Sequence, residues 1–360
     1  MKTKSRQGIF PRILFPTKGW LRQLIFLIVV VPYGITHVVA QDSWLRAPAL
    51  KVGDTIAFVA PAGPVELKPV ERYAKQLEAA GFRVLVPPNI ERKWEYLAGT
   101  DEERADELNT AIRNPDVNAI FAIRGGFGLT RILDQIDYDA LRKSPKVVVG
   151  YSDLTALHLA IARKIQLISF HGPMPMSNLW QEDAPKYQYA NDTFRRTIFA
   201  KSYGADTVGF AIPLPVANNM RALVVGRATG RLVGGNLSLI CATLGTPYAI
   251  DYQDAILFLE DVNEAPYRVD RMLSQLRLAG ILDAVSGVVV GDFSTKDSEE
   301  KVAMNRVLQE YFGRLHVPVV LNFPIGHVPE NATLPHGALA EIDSASLSLR
   351  LLENPVVVPQ

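Results

Sequence analysis

The sequence predicts an N-terminal α/β domain on a parallel sheet, followed by an α+β domain with a mixed sheet. Two observations carry this reading. From Leu50 to Phe170, apolar β-branched runs alternate with amphipathic segments, a pattern that puts helices on the faces of a parallel sheet. Beyond an aperiodic stretch, further apolar runs end in the alternating pair Ala338 to Asp343 and Leu347 to Leu352, which predicts a closing hairpin.

Thr55 to Ala60 predicts a first strand, broken at Pro61-Ala62-Gly63-Pro64. Glu66 to Ala80 has helical spacing, with Val70, Tyr73, Leu77 and Ala80 on one face and Gly81 as the C-terminal stop. Arg83 to Val86 is the next strand, Asp101 to Ile112 a helix, and Ala119 to Ile123 a strand running into Arg124-Gly125-Gly126-Phe127-Gly128. Ile132 to Leu141 is expected to be helical. Val147 to Val149 predicts a strand buried on both faces, followed by Gly150-Tyr151-Ser152-Asp153 and a helix carrying Leu154, Leu157 and Ile161. Ile165 to Phe170 is the last strand of a Rossmann- or flavodoxin-like unit. Residues 47–173 are assigned to this domain, 174–217 to an inter-domain connection, and 218–356 to the second domain.

In the second domain, Arg227 to Val233 is expected as a strand, Gly234-Gly235-Asn236 as a turn and Leu237 to Leu244 as a helix stopped by Gly245. Ala255 to Leu259 predicts a strand ending on Glu260-Asp261. Val269, Met272, Leu273 and Leu276 define one face of a helix closed by Gly280. Val285 to Val290 and Val317 to Leu321 are two further strands, the second leading through Pro324-Ile325-Gly326 to His327.

Composition narrows the function classes. The 48% apolar content suits buried cores. The first forty residues hold six of the 38 Lys and Arg and none of the 37 Asp and Glu, so the remainder has five acids in excess. A mildly acidic body without basic runs argues against a nucleic-acid partner. The basic start, the apolar run Leu24 to Val31 and the small Ala40 before Gln41 read as an export signal, with an uncleaved N-terminal membrane anchor as the alternative. Export to a periplasm or cell surface is therefore expected, against a cytoplasmic alternative. The single Cys241 lies in an apolar helical stretch, and no zinc-type spacing appears, so neither a metal nor another cofactor is expected.

Two motifs point to chemistry, and each has a plain structural reading. The glycines of 124–128 let backbone N–H groups approach an anion, or they merely serve a tight turn. Ser152 sits where a strand turns into a helix N-terminus, as a nucleophile does, but Leu154 breaks the GxSxG pattern, so an ordinary capping serine remains open. A serine nucleophile needs a base, and the base an acid to orient it. Of the histidines beyond the export-like segment, His158 lies among apolar helix residues, His316 precedes a strand, His336 is flanked by Pro335 and Gly337 in a turn, and His171 and His327 each follow a strand's carboxyl end. Glu260 does the same, where open α/β sheets place their sites.

The segments IRGGFGLTRIL, VVVGYSDLTALHLA, LFLEDVNEAPYRVDRML and FPIGHVPENATLPHG, in this order, resemble the serine LD-carboxypeptidases, the muramoyltetrapeptide carboxypeptidase family that includes microcin-C immunity peptidases. The resemblance covers roughly Leu50 to Leu352. It implies a triad of Ser152, Glu260 and His327 assembled in the cleft between the two domains. It further implies an oxyanion hole from the N–H groups of Gly126 and Asp153, His171 in a supporting substrate-binding position, and a homodimer. The implied reaction releases terminal D-alanine from a murein tetrapeptide. Arg124, Arg268 and Arg271 are candidates to hold the substrate carboxylate, surface ion pairs being the other reading of the last two. The alternatives are a microcin-C immunity type peptidase, an α/β-hydrolase esterase, and a non-enzymatic periplasmic ligand-binding protein.

Overall fold

The computed structural model describes residues 44–176, 185–199, 202, 208–215 and 219–358. The expected export segment, 1–40, lies outside the described residues, as does part of the expected connection 174–217. Strands are β1 (Thr55–Val59), β2 (Arg83–Leu85), β3 (Ala119–Ala122), β4 (Val147–Gly150), β5 (Ser169–His171), β6 (Arg221–Val224), β7 (Arg227–Asn236), β8 (Ile256–Val262), β9 (Gly287–Ser294), β10 (Val319–Leu321), β11 (Leu334–His336), β12 (Leu339–Asp343) and β13 (Ser348–Leu351). Helices are α1 (Leu67–Ala79), α2 (Asp101–Arg113), α3 (Tyr138–Lys143), α4 (Leu154–Ile165), α5 (Gln188–Ile198), α6 (Leu237–Thr243), α7 (Pro266–Leu278), α8 (Ile281–Ala284) and α9 (Ser298–Phe312).

The first sheet runs β11-β5-β4-β3-β1-β2, parallel except for β11. Its parallel strands therefore have the 2-1-3-4-5 order of flavodoxin-like folds. The second sheet, β13-β12-β7-β8-β9-β10-β6, is mixed: β7 to β10 are parallel, and β12, β13 and β6 add antiparallel edges. The two-part α/β and mixed-sheet architecture is as the sequence predicts.

Several expectations need correction. Residues 132–141 are not one helix: Leu129–Arg131 and Leu133–Gln135 are single 3-10 turns, and α3 starts afresh where the Asp137 carboxylate caps Ala140 N–H. Ile165 ends α4 rather than opening a strand, with Gln166 left-handed at φ 50°. The connection contains α5, whose buried face includes polar Asn191, Thr193 and Thr197, which hid its period. His336 lies in β11 rather than a turn, and through β11 the later part of the chain completes the first sheet.

Gly234-Gly235-Asn236 is the end of β7, not a turn. These glycines serve close approach within a sheet: a Cβ at Gly234 would lie 1.9 Å from the Phe258 carbonyl oxygen, and one at Gly235 2.5 Å from Thr155 Oγ1. Thr155 Oγ1 also accepts the Asn236 N–H at 3.0 Å, so α4 is fastened to the carboxyl end of β7. Helix α4 packs against β5 as well as against β7 and α6, and so its residues 154–162 are all buried. A helix buried on every side over that stretch, its Thr155 and His158 hydrogen-bonded, fits a position between two layers. Gly234→Ala combines a clash with backbone and a φ of 145°, and is expected to destabilise by about 3 kcal/mol. A lowered urea midpoint at unchanged slope checks it.

Candidate active site

Three loops meet beyond the carboxyl ends of the first sheet. The break after β1 touches the glycine loop after β3, where Gly63 N–H donates to the Gly125 carbonyl at 3.2 Å. Because the peptide is trans, the N–H of Gly126 points away from Gly63. Gly125 lies against the turn after β4: a Cβ there would be 2.9 Å from Ser152 Cβ and 3.1 Å from Ser152 Oγ. No larger residue fits.

Ser152 itself is left-handed, at φ 64°. An N-cap serine has extended backbone angles and accepts an N–H with its hydroxyl, whereas Ser152 Oγ makes no hydrogen bond among the described residues. The strained, presented conformation is that of a strand-to-helix elbow. The Asp153 side chain, to which the sequence reading assigned no role, holds this turn to the glycine loop. Buried at 1% exposure, its carboxylate accepts the Leu129 N–H at 2.9 Å. Burial pushes its pKa up to about 6, against the Leu129 and Gly128 N–H groups and the charge of Arg104. Arg104, also unforeseen, is fully buried in α2. Its guanidinium donates to the Pro61 carbonyl and to Asp101, each at 2.5 Å, and abuts Gly128.

Glu260 and His327 come from the second sheet. β8 continues past Leu259 through Val262, so Glu260 is inside the strand rather than at its end, and the β8–β9 register slips between Leu259 and Asp261. Such a bulge re-aims a side chain. Glu260 is fully buried, and its Oε2 lies 2.8 Å from His327 Nδ1. Gly326, at φ 108°, brings the loop this close, since a Cβ there would lie 2.9 Å from Glu260 Oε2. Asp261 accepts Asn236 Nδ2 and both the N–H and hydroxyl of Ser238, fixing the neighbouring corner between β7 and α6.

Burial opposes charge on His327, but the hydrogen bond and charge of Glu260, with the charges of Asp261 and Asp292, together outweigh it, and the imidazole is held above its ordinary pKa. For Glu260, burial outweighs the His327 bond and keeps the carboxyl above its usual range. The bond to Nδ1 leaves His327 Nε2 as the outward nitrogen. The His327 ring lies 4.9 Å from that of Tyr151, next to Ser152, although no hydrogen bond joins Ser152 Oγ to His327. Apo sites are commonly this loose.

Among the described residues no other histidine bonds to a carboxylate. His158 donates from Nε2 to the Gly150 carbonyl and takes the Ser169 hydroxyl on Nδ1, both at 2.8 Å, and burial lowers its pKa to about 4. It is a satisfied core group. His171 is fully buried between Tyr151 and Phe258, at ring distances of 5.9 and 5.3 Å, so it faces the core rather than an open cleft. His336 is buried against His158, and His316 is exposed. Arg124 is exposed on the glycine loop, bonded to the Pro64 carbonyl at 3.1 Å. Arg268 pairs with Glu264 at 3.5 Å on the surface of α7, and Arg271 lies over Tyr267.

Residues 56–172 match the family model described as the LD-carboxypeptidase N-terminal domain, and 229–342 the LD-carboxypeptidase C-terminal domain. The chain is 37% identical over 305 residues to the probable murein peptide carboxypeptidase of Bacillus subtilis strain 168, covering 83% of this chain and 92% of that protein. The muramoyltetrapeptide carboxypeptidase structure from Oxalobacter formigenes aligns with a TM-score of 0.70 at 32% identity, over 82% of this chain and 97% of that one. The microcin C7 self-immunity protein MccF of Escherichia coli is 29% identical over 339 residues, 87% of this chain and 97% of that protein. Its wild-type apo structure aligns with a TM-score of 0.77, over 87% of this chain and 100% of that one. The chain belongs to the LD-carboxypeptidase family. It is a peptidase.

Proposed function

We propose that the protein hydrolyses the L,D-amide that releases the terminal D-alanine of a murein tetrapeptide, with Ser152 as nucleophile, His327 as base and Glu260 as its orienting acid. The observation that carries this reading is the Glu260–His327 pair at 2.8 Å, displayed beside the strained turn that bears Ser152. His327 Nε2 takes the Ser152 proton as Oγ attacks the scissile carbonyl, and Glu260 stabilises the imidazolium. The N–H groups of Gly126 and Asp153 receive the oxyanion, the donors being held in place by the Asp153 carboxylate and Arg104. The tetrahedral intermediate collapses as His327 protonates the leaving amine. Water, deprotonated by His327, then resolves the acyl-enzyme. Arg124, on the same loop, is the candidate for the free carboxylate of D-alanine.

The export-like N-terminus supports a reaction outside the cytoplasm, where the enzyme would trim wall peptides directly. Incubation with a disaccharide tetrapeptide is expected to yield the tripeptide and free D-alanine. A second reading, cleavage of a microcin-C type conjugate, is supported by the higher TM-score with MccF. Release from such a conjugate without release from any murein peptide would replace the first reading with the second.

The pH profile follows from the shift at His327. The base must be neutral, and its pKa is held above that of an ordinary imidazole, against burial, by Glu260 and its acidic neighbours. Activity is therefore expected to be low in acid and to rise through an apparent pKa above the ordinary imidazole value in kcat/KM. Removing the Glu260 charge should move that limb to lower pH while lowering the plateau. A limb that stays put in Glu260→Gln would contradict the pairing.

A further inference from the structure

Outside the catalytic set, one group of side chains is arranged as a ligand surface. Trp94, Tyr96 and Phe127 are 46%, 61% and 49% exposed, three of the four strongly exposed aromatics among the described residues. The Tyr96 and Phe127 rings meet edge-on at 5.7 Å, and the Arg131 guanidinium lies 5.6 Å over the Trp94 ring while its Nε and Nη2 edge donates to Asp101. Solvent-exposed clustering of this kind marks interaction sites.

The backbone is built to display them. Trp94 and Leu97 exchange both N–H to carbonyl bonds, at 2.9 and 2.8 Å, across a two-residue turn in which Glu95 is left-handed at φ 53°. Leu97 is fully buried and anchors the hairpin, so Trp94 and Tyr96 are turned outward. A non-glycine residue in that conformation is strained, and such strain collects at functional sites.

We propose that this shelf binds the aminosugar portion of a glycan-linked peptide substrate; the inference rests on the murein reading above. Position and size support that occupant. Phe127 is two residues from Gly125, which touches Ser152, so its Cα lies within about 7 Å of that contact and its side chain can reach the space roughly 10 Å from the nucleophile. In a murein tetrapeptide the third residue's carbonyl is at the serine, and three extended units of about 3.3 Å lead back to the sugar. Three half-exposed aromatic rings offer on the order of 300 Å², enough for one or two pyranose rings and well below the ~800 Å² per partner of a stable protein interface. The mixed rim of Lys93, Glu95 and Arg131 suits a ligand with apolar ring faces and polar edges.

The test compares kcat/KM for the free tetrapeptide with that for the same peptide carried on N-acetylglucosaminyl-N-acetylmuramic acid. Wild type is expected to favour the glycan-linked form by about tenfold, and Trp94→Ala/Tyr96→Ala to lose that preference while its rate on free peptide is unchanged. Trp94→Phe/Tyr96→Phe should retain most of it. Equal wild-type rates on the two substrates, or an equal loss on both in the double variant, would overturn the shelf. A double variant that changes oligomeric state but keeps the glycan preference would also overturn it, making a second copy the occupant. Titration with the peptide-free disaccharide, followed by tryptophan emission, separates the two readings. A saturable change in wild type that weakens at least fivefold in Tyr96→Ala supports the shelf even if no D-alanine is released, in which case the peptidase assignment fails alone.

Discussion

Ser152→Ala is expected to lower kcat for D-alanine release by about 10⁴ to 10⁶ with little change in KM, as removal of a serine nucleophile does when the oxyanion donors survive. The fold should tolerate the change. Ser152 Oγ bonds to nothing among the described residues, and the methyl group of alanine occupies the same contact with Gly125. Left-handed backbone remains as costly for alanine as for serine, so thermal stability should fall by less than about 1 kcal/mol. A Ser152→Ala protein that keeps its melting temperature and its rate would remove the nucleophile from this position.

Glu260→Gln is the second large effect, and it separates catalysis from stability. A glutamine cannot stabilise the imidazolium and favours the wrong tautomer of His327, which costs about 10³ to 10⁴ in kcat. Stability should move the other way or not at all. Glu260 is fully buried with a pKa held above its ordinary value, first by burial. A carboxyl raised in the folded state binds its proton more tightly there than in the unfolded chain, so ionising it lowers stability as pH rises through the interval between the two pKa values. The neutral amide removes that charge. An unchanged or higher melting temperature at pH 8, beside a rate lower by three orders or more, is the expected pair of results. Denaturation together with the rate loss would make Glu260 a structural ion-pair member instead.

Readability from sequence depended on whether a residue's role was set locally. β1, β3 and β4 were plain as continuous apolar runs because strands buried on both faces have no polar side to interrupt them. Ser152, Glu260 and His327 stood out by their places near expected strand ends, but so did His171, and only the resemblance to a known family singled out the three. What failed was decided by contacts remote in the chain. Gly234 and Gly235 read as a turn because glycine usually marks one, yet they are strand residues made small by Phe258 and Thr155. His336, between proline and glycine, became a strand residue only because β5 offered it an edge. The carboxylate of Asp153 and the buried Arg104 gave no sign of their role, since the contacts that tie them to the site, with Leu129 N–H and the Pro61 carbonyl, lie in the loops after β3 and β1. Helix α9 was not foreseen either, although Asp297 caps it through two N–H groups.

The most direct measurement uses a tetrapeptide analogue whose terminal D-alanine is replaced by D-lactate, an ester that acylates faster than the acyl-enzyme hydrolyses. Rapid-quench release should show a burst of about one equivalent of D-lactate per enzyme, with the tripeptidyl mass recovered on the peptide containing Ser152. Linear release from the first turnover with no adduct, or an adduct on any other residue, would contradict the mechanism.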